Sequence, residues 1–291
     1  MAISSREIRR RIKSVKNIGQ ITKAMELVSA AKMRKAQGTA TASRSYAILS
    51  SELLRNLIGK TDLFKHPLIQ RPEPEEGTAV QDKFLVILMS SDKGLAGALN
   101  ANVVNKALTA FRSEGLENVE FISVGRKGAE AVRKLGYHIE AHFPAKDRGI
   151  SVFDAKPIAQ IAIDGFLNYK YQKVFIVYTD FISTLVQKPN ILQILPLSAK
   201  LDERNEDILF EPDPDEVLEN LIYRTIEFAI YQSLVESSAS EHSARMVAMR
   251  NANQAASDLI EDLTLSANQA RQAGITRELA EISAAKLAME G

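Results

Sequence analysis

The sequence predicts an α/β protein: a long antiparallel two-helix coiled coil formed by both termini, together with a Rossmann-like α/β body whose sheet is mostly parallel. Three observations predict it. The stretch from about Asp213 to Gly291 has no proline after Pro214, and Gly274 is its only glycine before the terminal one. Residues 3–58 carry a narrow apolar stripe at helical spacing. Between these two stretches, short apolar runs alternate with helical patterns. The expected division is residues 1–60 for the N-terminal coiled-coil helix, 61–82 for a linker, 83–197 for the body, 198–212 for an acidic loop and 213–291 for the C-terminal coiled-coil helix.

In the N-terminal helix, Ser4 and Glu7 have capping-box spacing. Ile8, Ile12, Val15, Ile18, Ile21, Met25 and Val28 then step by four and three residues, which puts them on one stripe. The stripe is narrow and flanked by charge, as in a coiled-coil seam rather than a helix lying on a sheet. Gly19 and Gly38 each weaken the helix by up to about 1 kcal/mol relative to Ala. Gly59, Pro67, Pro72, Pro74 and Gly77 mark the linker.

The body starts with Phe84–Met89, a continuous apolar run with the length of a buried strand. The loop Ser90–Gly97 and a helix to about Arg112 follow. Val119–Val124 is a second strand, Lys127–Leu135 a helix, and Tyr137–Phe143 alternates like an exposed or edge strand. Residues 154–170 are helical, Lys173–Thr179 is a strand, and Leu185–Leu197 is a last strand interrupted near Pro189. Such alternation implies a parallel sheet covered on both faces.

The C-terminal helix begins with Asp213 as a cap, Pro214 at the first helical position and Glu216 at capping-box distance. Val217, Leu221, Thr225 and Phe228, and later Leu259 and Leu263, recur at three- and four-residue steps. As a single helix the stretch is on the order of 110 Å long, which suggests a coiled coil rather than a helix of a compact domain. Charged and strongly polar residues interrupt every window of about 20 residues, so no membrane span is expected.

A chain of 291 residues can bury a sizeable core, and its net charge of +1 names no partner. The charge is unevenly placed: residues 1–60 hold thirteen Lys or Arg against three acids, whereas residues 202–219 hold nine acids and one base. The absence of cysteine excludes disulfides and thiolate metal sites. The Arg-rich start hints at a transit peptide, but Glu7 and the helical pattern after it argue for a mature, intracellular chain.

Ser90–Gly97 lies between a strand and a helix, where phosphates often bind. It matches neither G-x-G-x-x-G nor G-x-x-x-x-G-K-[ST], and tight turns at Gly94 and Gly97, with close helix–sheet approach, are the preferred account of it. His138 and His142 are four apart on a strand, a spacing that does not close around a metal there. No G-x-S-x-G occurs, and the acids of 202–219 suit a solvated loop and helix start better than a catalytic pair.

The basic face of the first helix (Arg6, Arg9, Arg10, Arg11, Lys13 and Lys16, then Lys32, Arg34 and Lys35) admits three readings. It could neutralise nucleic-acid phosphates, although residues 1–45 offer no aromatic to stack a base. It could meet an acidic protein surface, or it could be solvated. Ser237–Met246 is rich in small side chains, which let two helices approach closely, and Met246 and Met249 suit a seam. Ile282–Met289 is Ala-rich, with isolated Ile, Leu and Met.

Three motifs, in order, resemble the gamma subunit of bacterial F-type ATP synthases over essentially the whole chain. They are Ile8–Asn17 with Ile21–Val28, the loop Ser91–Gly97, and Ala239–Glu241 with Arg245–Met249 and Asn268–Ile282. The resemblance implies a rotor shaft that turns inside a ring of alternating alpha and beta subunits, with delta and epsilon subunits and the membrane c-ring as further partners. It implies no cofactor, metal, catalytic residue, nucleic acid or direct small-molecule substrate. It also implies a peripheral place on the cytoplasmic face of the bacterial plasma membrane, and it gives the basic helix face a reason, because the family's catalytic subunits present an acidic loop to the shaft.

By matching position, Lys23 and Met25 are expected where the shaft meets that loop. Arg271, Gln272, Thr276, Glu278 and Glu281 are expected as polar contacts with a catch on the beta subunits. Gly274 lies inside this motif and could loosen the helix. Plant members carry a cysteine-bearing regulatory insertion; this chain has no cysteine and is too short for it, so redox control of that kind is not expected. Ala96 stands where the family loop often has Cys. Two competing readings are a nucleotide-dependent Rossmann enzyme with a coiled-coil dimerisation arm, and a nucleic-acid-binding coiled coil with salt-dependent retention.

Overall fold

The structure is a computed structural model that describes residues 5–58, 66–70, 83–147, 149–197 and 214–290. The expected caps Ser4 and Asp213, most of the linker (59–65 and 71–82) and the acidic loop 198–212 lie outside the described residues, as do the side chains of Glu216 and Val217. The elements are α1 (Ser5–Ile58), β1 (Lys83–Met89), α2 (Leu99–Phe111), β2 (Val119–Val124), α3 (Arg126–Lys134), β3 (His138–Phe143), α4 (Val152–Leu167), β4 (Tyr171–Phe181), β5 (Gln187–Leu195) and α5 (Pro214–Glu290). Contacts divide the chain into two units, Met1–Ser29 with Met246–Gly291, and Ala30–Arg245.

The larger unit holds a five-stranded sheet of order β3-β2-β1-β4-β5. The three pairings among β1 to β4 are parallel and the β4–β5 pairing is antiparallel. The order reverses after β3, so α2 and α3 cover one face and α4 the other. Alternation along β1 sorts its side chains between two cores. Val86 and Leu88 join Val103, Ala107, Phe111 and Val132 on the α2–α3 side. Leu85, Ile87 and Met89 join Ile158, Ala162 and Phe166 on the α4 side.

β3 is an edge strand whose side chains alternate between exposed and half-buried, as expected. Pro189 does not interrupt β5: it pairs with Thr179, and β5 is the other edge, where a residue without an N–H costs no ladder bond. α4 starts two residues before its expected position. The Ser151 N–H donates to the Asp154 carboxylate at 2.9 Å, which anchors the helix start at Val152.

The C-terminal helix is not solely a partner for the N-terminal one. Within the larger unit, Ile222, Ile226, Ile230 and Val235 of α5 are buried in the α4-side core, together with Ala40 of α1. Leu221, Thr225 and Phe228, the expected stripe, flank this face and are half-buried. The small residues that follow meet a strand end as well as a helix. The Ser237 hydroxyl accepts from the Thr179 N–H at 3.3 Å, the Ser240 hydroxyl donates to the Thr179 carbonyl at 3.0 Å, and the Ser243 hydroxyl to the Thr184 carbonyl at 2.7 Å. Short side chains bring the α5 backbone close enough to replace the hydrogen bonds that the end of β4 would otherwise lack.

In the smaller unit the covered face differs from the expected stripe. Ile8, Thr22, Glu26 and Ser29 are buried, and Ile12, Val15 and Gly19 are half-buried, in strictly alternating steps of four and three. Ile18, Ile21 and Val28 are instead more than half exposed. Three successive steps of three cannot stay on one seam, because the period that does averages about 3.5 residues per step, about seven per pair of steps. On α5 the same rhythm runs through Met246, Met249, Asn253, Ala256, Ile260, Leu263, Ala267, Ala270 and Gly274. Leu259 lies outside it and is exposed. The helix continues through Gly274, and past it every described side chain is exposed.

Candidate partner-contact site

The expected contact residues all belong to the smaller unit. Lys23 and Met25 are on α1, one turn before Ser29. The Lys23 ammonium donates to one oxygen of Glu26 at 3.0 Å, and Arg250 of α5 donates to the other at 3.2 Å. Glu26 thus joins the two helices, although sequence reasoning did not single it out. The hydrogen bond from Lys23 holds its carboxyl below the usual range; burial opposes the shift and Arg250 adds to it. Met25 flanks this bridge and is half-buried. Gly19 lies against α5, where an added Cβ would sit 3.6 Å from the Ala256 Cβ.

Arg271, Gln272, Thr276, Glu278 and Glu281 are all exposed on α5. Thr276 returns its hydroxyl to the Gln272 carbonyl at 3.0 Å. The structure brings these five onto one exposed helical segment. Among them, Ile275, Leu279 and Ile282 form an apolar stripe that is 51–66% exposed. On α1, Ile18, Ile21, Leu27 and Val28 are 52–60% exposed. Six cations, Arg6 to Lys16, are exposed on the same helix.

The Ser90–Gly97 loop is built differently from the expectation. Gly97 and Leu95 take the left-handed region, at φ +57 and +62, whereas a Cβ on Gly94 would meet nothing within 4 Å. The close approach is at Gly125 and Gly128, where a Cβ would lie 2.6 Å from the Ser90 carbonyl carbon and from the Ser90 hydroxyl, respectively. The Asp92 carboxylate accepts the Arg126 N–H at 2.8 Å and the Ser91 carbonyl accepts the Lys127 N–H at 3.0 Å. The loop thus spends a carboxylate and a carbonyl on the first N–H groups of α3.

A charged node underlies the loop. Arg245, 5% exposed, donates to Glu241 at 2.7 Å and to the carbonyls of Lys93 and Gly94 at 3.3 Å. Asp147 pairs with Lys93 at 2.8 Å and with Lys32 of α1 at 3.1 Å, and the Lys93 bond chiefly holds its carboxyl at about 2. His242 is buried beside Arg245.

Glu120, His138 and Glu140 bring three ligand-type atoms within 4.8 Å of one another. Glu120, however, accepts from Lys83 and from the Tyr171 hydroxyl, each at 2.8 Å, and lies 3.1 Å from the Lys170 ammonium. Burial pushes its carboxyl up, but these donors outweigh burial and hold it at about 2. Two ammonium groups occupy the place of a cation. Among the described residues, no helix is long and apolar enough to cross a membrane.

The sequence matches the family described as ATP synthase over residues 4–289. It is 42% identical to the ATP synthase gamma chain of Herpetosiphon aurantiacus, covering 98% of this chain and 99% of that one. The gamma chain of Pelotomaculum thermopropionicum is also 42% identical, with 99% of each covered. The chain belongs to the ATP synthase gamma chain family. Among solved structures, it resembles a chain of the Tetrahymena thermophila mitochondrial ATP synthase central stalk and c-ring, with 25% identity, a TM-score of 0.60 and coverage of 80% of this chain and 99% of that one. A chain of the Euglena gracilis mitochondrial ATP synthase shares the fold at 20% identity and a TM-score of 0.67, with 98% and 94% covered. This membership favours the rotor reading over the Rossmann-enzyme alternative. The mixed fold with a parallel-dominated sheet and a long C-terminal helix is that of the family's gamma chains.

Proposed function

We propose that the chain is the central-stalk rotor subunit of a proton-translocating F-type ATP synthase. It transmits torque between the membrane c-ring and the catalytic alpha/beta ring, and it couples proton flow to ATP synthesis or hydrolysis. It works with alpha, beta, delta and epsilon partners and holds no bond-making site of its own. Its place is peripheral, on the cytoplasmic face of the membrane, where the complex holds it. Residues 1–60 and 213–291 act as an antiparallel coiled coil, 83–197 as the body, and 61–82 and 198–212 as connections.

The observation that carries this reading is full-length membership of the gamma chain family. The coil is supported by the alternating four- and three-residue steps on α1 and α5 and by the Lys23–Glu26–Arg250 bridge. Lys23 and Met25 face the acidic loop of the catalytic subunits, while Arg271, Gln272, Thr276, Glu278 and Glu281 engage the beta-subunit catch. A shaft with unlike faces presents different contacts to three otherwise equal sites, and only differential contact can shift their populations.

The test is truncation after Ala270 in the reconstituted complex. ATP-driven proton pumping should fall or assembly should weaken, with nucleotide chemistry on the catalytic subunits retained. Normal assembly and normal pumping would remove the roles given to Arg271–Glu281. Failure of the full chain to co-purify with alpha, beta and epsilon subunits would remove the function itself.

A further inference from the structure

A cavity of about 160 Å³ lies in the larger unit at the carboxyl ends of β1, β2 and β3. Met89, Val124, Phe143, Ile158 and Leu234 give it apolar walls, and Ser238 and Glu241 of α5 line it as well. It stands where the strand order turns back between β1 and β4, the place at which open α/β sheets admit ligands. The gamma-chain assignment gives this cavity no role.

Its charges select the occupant. Lys146 at the wall is bound to Asp154 at 2.6 Å. Arg245 engages only one oxygen of Glu241 and spends its other donors on the carbonyls of Lys93 and Gly94 and toward the His242 ring. The second Glu241 oxygen accepts no hydrogen bond from a described residue. Burial pushes this carboxyl up, so a positive group beside it gains what solvent no longer supplies. An engineered apolar cavity of about 150 Å³ holds one benzene molecule, so this one has room for one ring. Phe153, 83% exposed although it lines the cavity, is the apolar cover such a ring would meet.

We propose that the cavity is a binding site for a small amphiphilic cation: one ring between the sheet ends and α4, with an ammonium group hydrogen-bonded to Glu241. The site would tie α5 to the sheet through the ligand. Charge complementarity and size together exclude nucleotides and anionic metabolites.

The test is calorimetric or NMR titration of the full chain with three single-ring probes: benzylamine, benzyl alcohol and benzoate. Benzylamine should bind about tenfold more tightly than benzyl alcohol, and benzoate most weakly. Glu241→Gln, which keeps an acceptor for Arg245, should erase the preference between the amine and the alcohol. Ser238→Met, which fills the cavity, should abolish saturable binding of both, with tyrosine fluorescence confirming that the variants are folded. The proposal is overturned by benzoate binding as tightly as benzylamine, by undiminished binding in folded Ser238→Met, or by no saturation with benzylamine at tens of millimolar.

Discussion

His242 makes the stability of the larger unit depend on pH in a range where few other groups titrate. It is 2% exposed, and its pKa is pushed down to about 4, by burial first and then by the charges of Arg245 and Lys32; Asp147 pulls it part of the way back. The folded protein therefore keeps the ring neutral while the unfolded chain takes up a proton as pH drops below about 6.5. Because the unfolded state binds more protons there, stability is fully present above pH 6.5 and is lost as pH falls toward 4. At 1.36 kcal/mol per pH unit, the full loss is about 3 kcal/mol, and about 2 kcal/mol is gone at pH 5. Glu241, whose carboxyl is raised by burial, works in the opposite direction and offsets part of this near its own titration. His66, also lowered by burial, adds to it. All seven tyrosines lie between residues 46 and 231 and there is no tryptophan, so tyrosine fluorescence reports on this unit alone. With a urea slope of about 2 kcal/mol per molar, the midpoint should fall by about 1 M between pH 8 and pH 5. In His242→Gln most of that fall should vanish, while the His66 and Glu241 contributions remain in both proteins and cancel in the comparison. Equal falls in the two proteins would refute the reasoning.

Two further outcomes test the backbone. Gly125→Ala combines a φ of +91 with a Cβ forced against Ser90, so it should destabilise the larger unit by about 3 kcal/mol or leave it insoluble, as read by the urea midpoint. Gly274→Ala should do the reverse, because a Cβ there meets nothing and the helix runs straight through. It should stabilise the segment by up to about 1 kcal/mol, seen as a several-fold slowing of amide exchange over residues 270–280.

The body was legible because its strands are short, apolar and bounded by glycines and helical patterns. β2 has the predicted bounds, and β1 and α3 differ by one residue. The antiparallel setting of β5 was not legible, since Pro189 reads as a break until the strand is known to be an edge. The start of α4 was missed even though Ser151 and Asp154 carry the capping spacing. The role of Ser237–Ser243 depends on a strand end sixty residues away, which no local pattern encodes. Of the candidate site, the helix positions could be read from sequence, but the Glu26 bridge could not: its second partner, Arg250, comes from the other end of the chain.

The misread seam is the most informative difference. Apolar character picks out Ile18, Ile21 and Val28, yet the chain covers Gly19, Thr22, Glu26 and Ser29 beside them. Hydrophobicity says which side chains must leave water, whereas the 3.5-residue period says which of them this chain can cover by itself. Over residues 18–29 the two disagree, and the covered face is the polar one. A seam of small and polar residues buries little apolar area, so this segment gains little from its own partner helix. Four exposed aliphatic side chains on one short stretch of helix, repeated by Ile275, Leu279 and Ile282 on α5, belong against another surface. In the rotor proposed above, a narrow, polar seam would let two helices lie close while these aliphatic side chains stay outward, free to meet a partner.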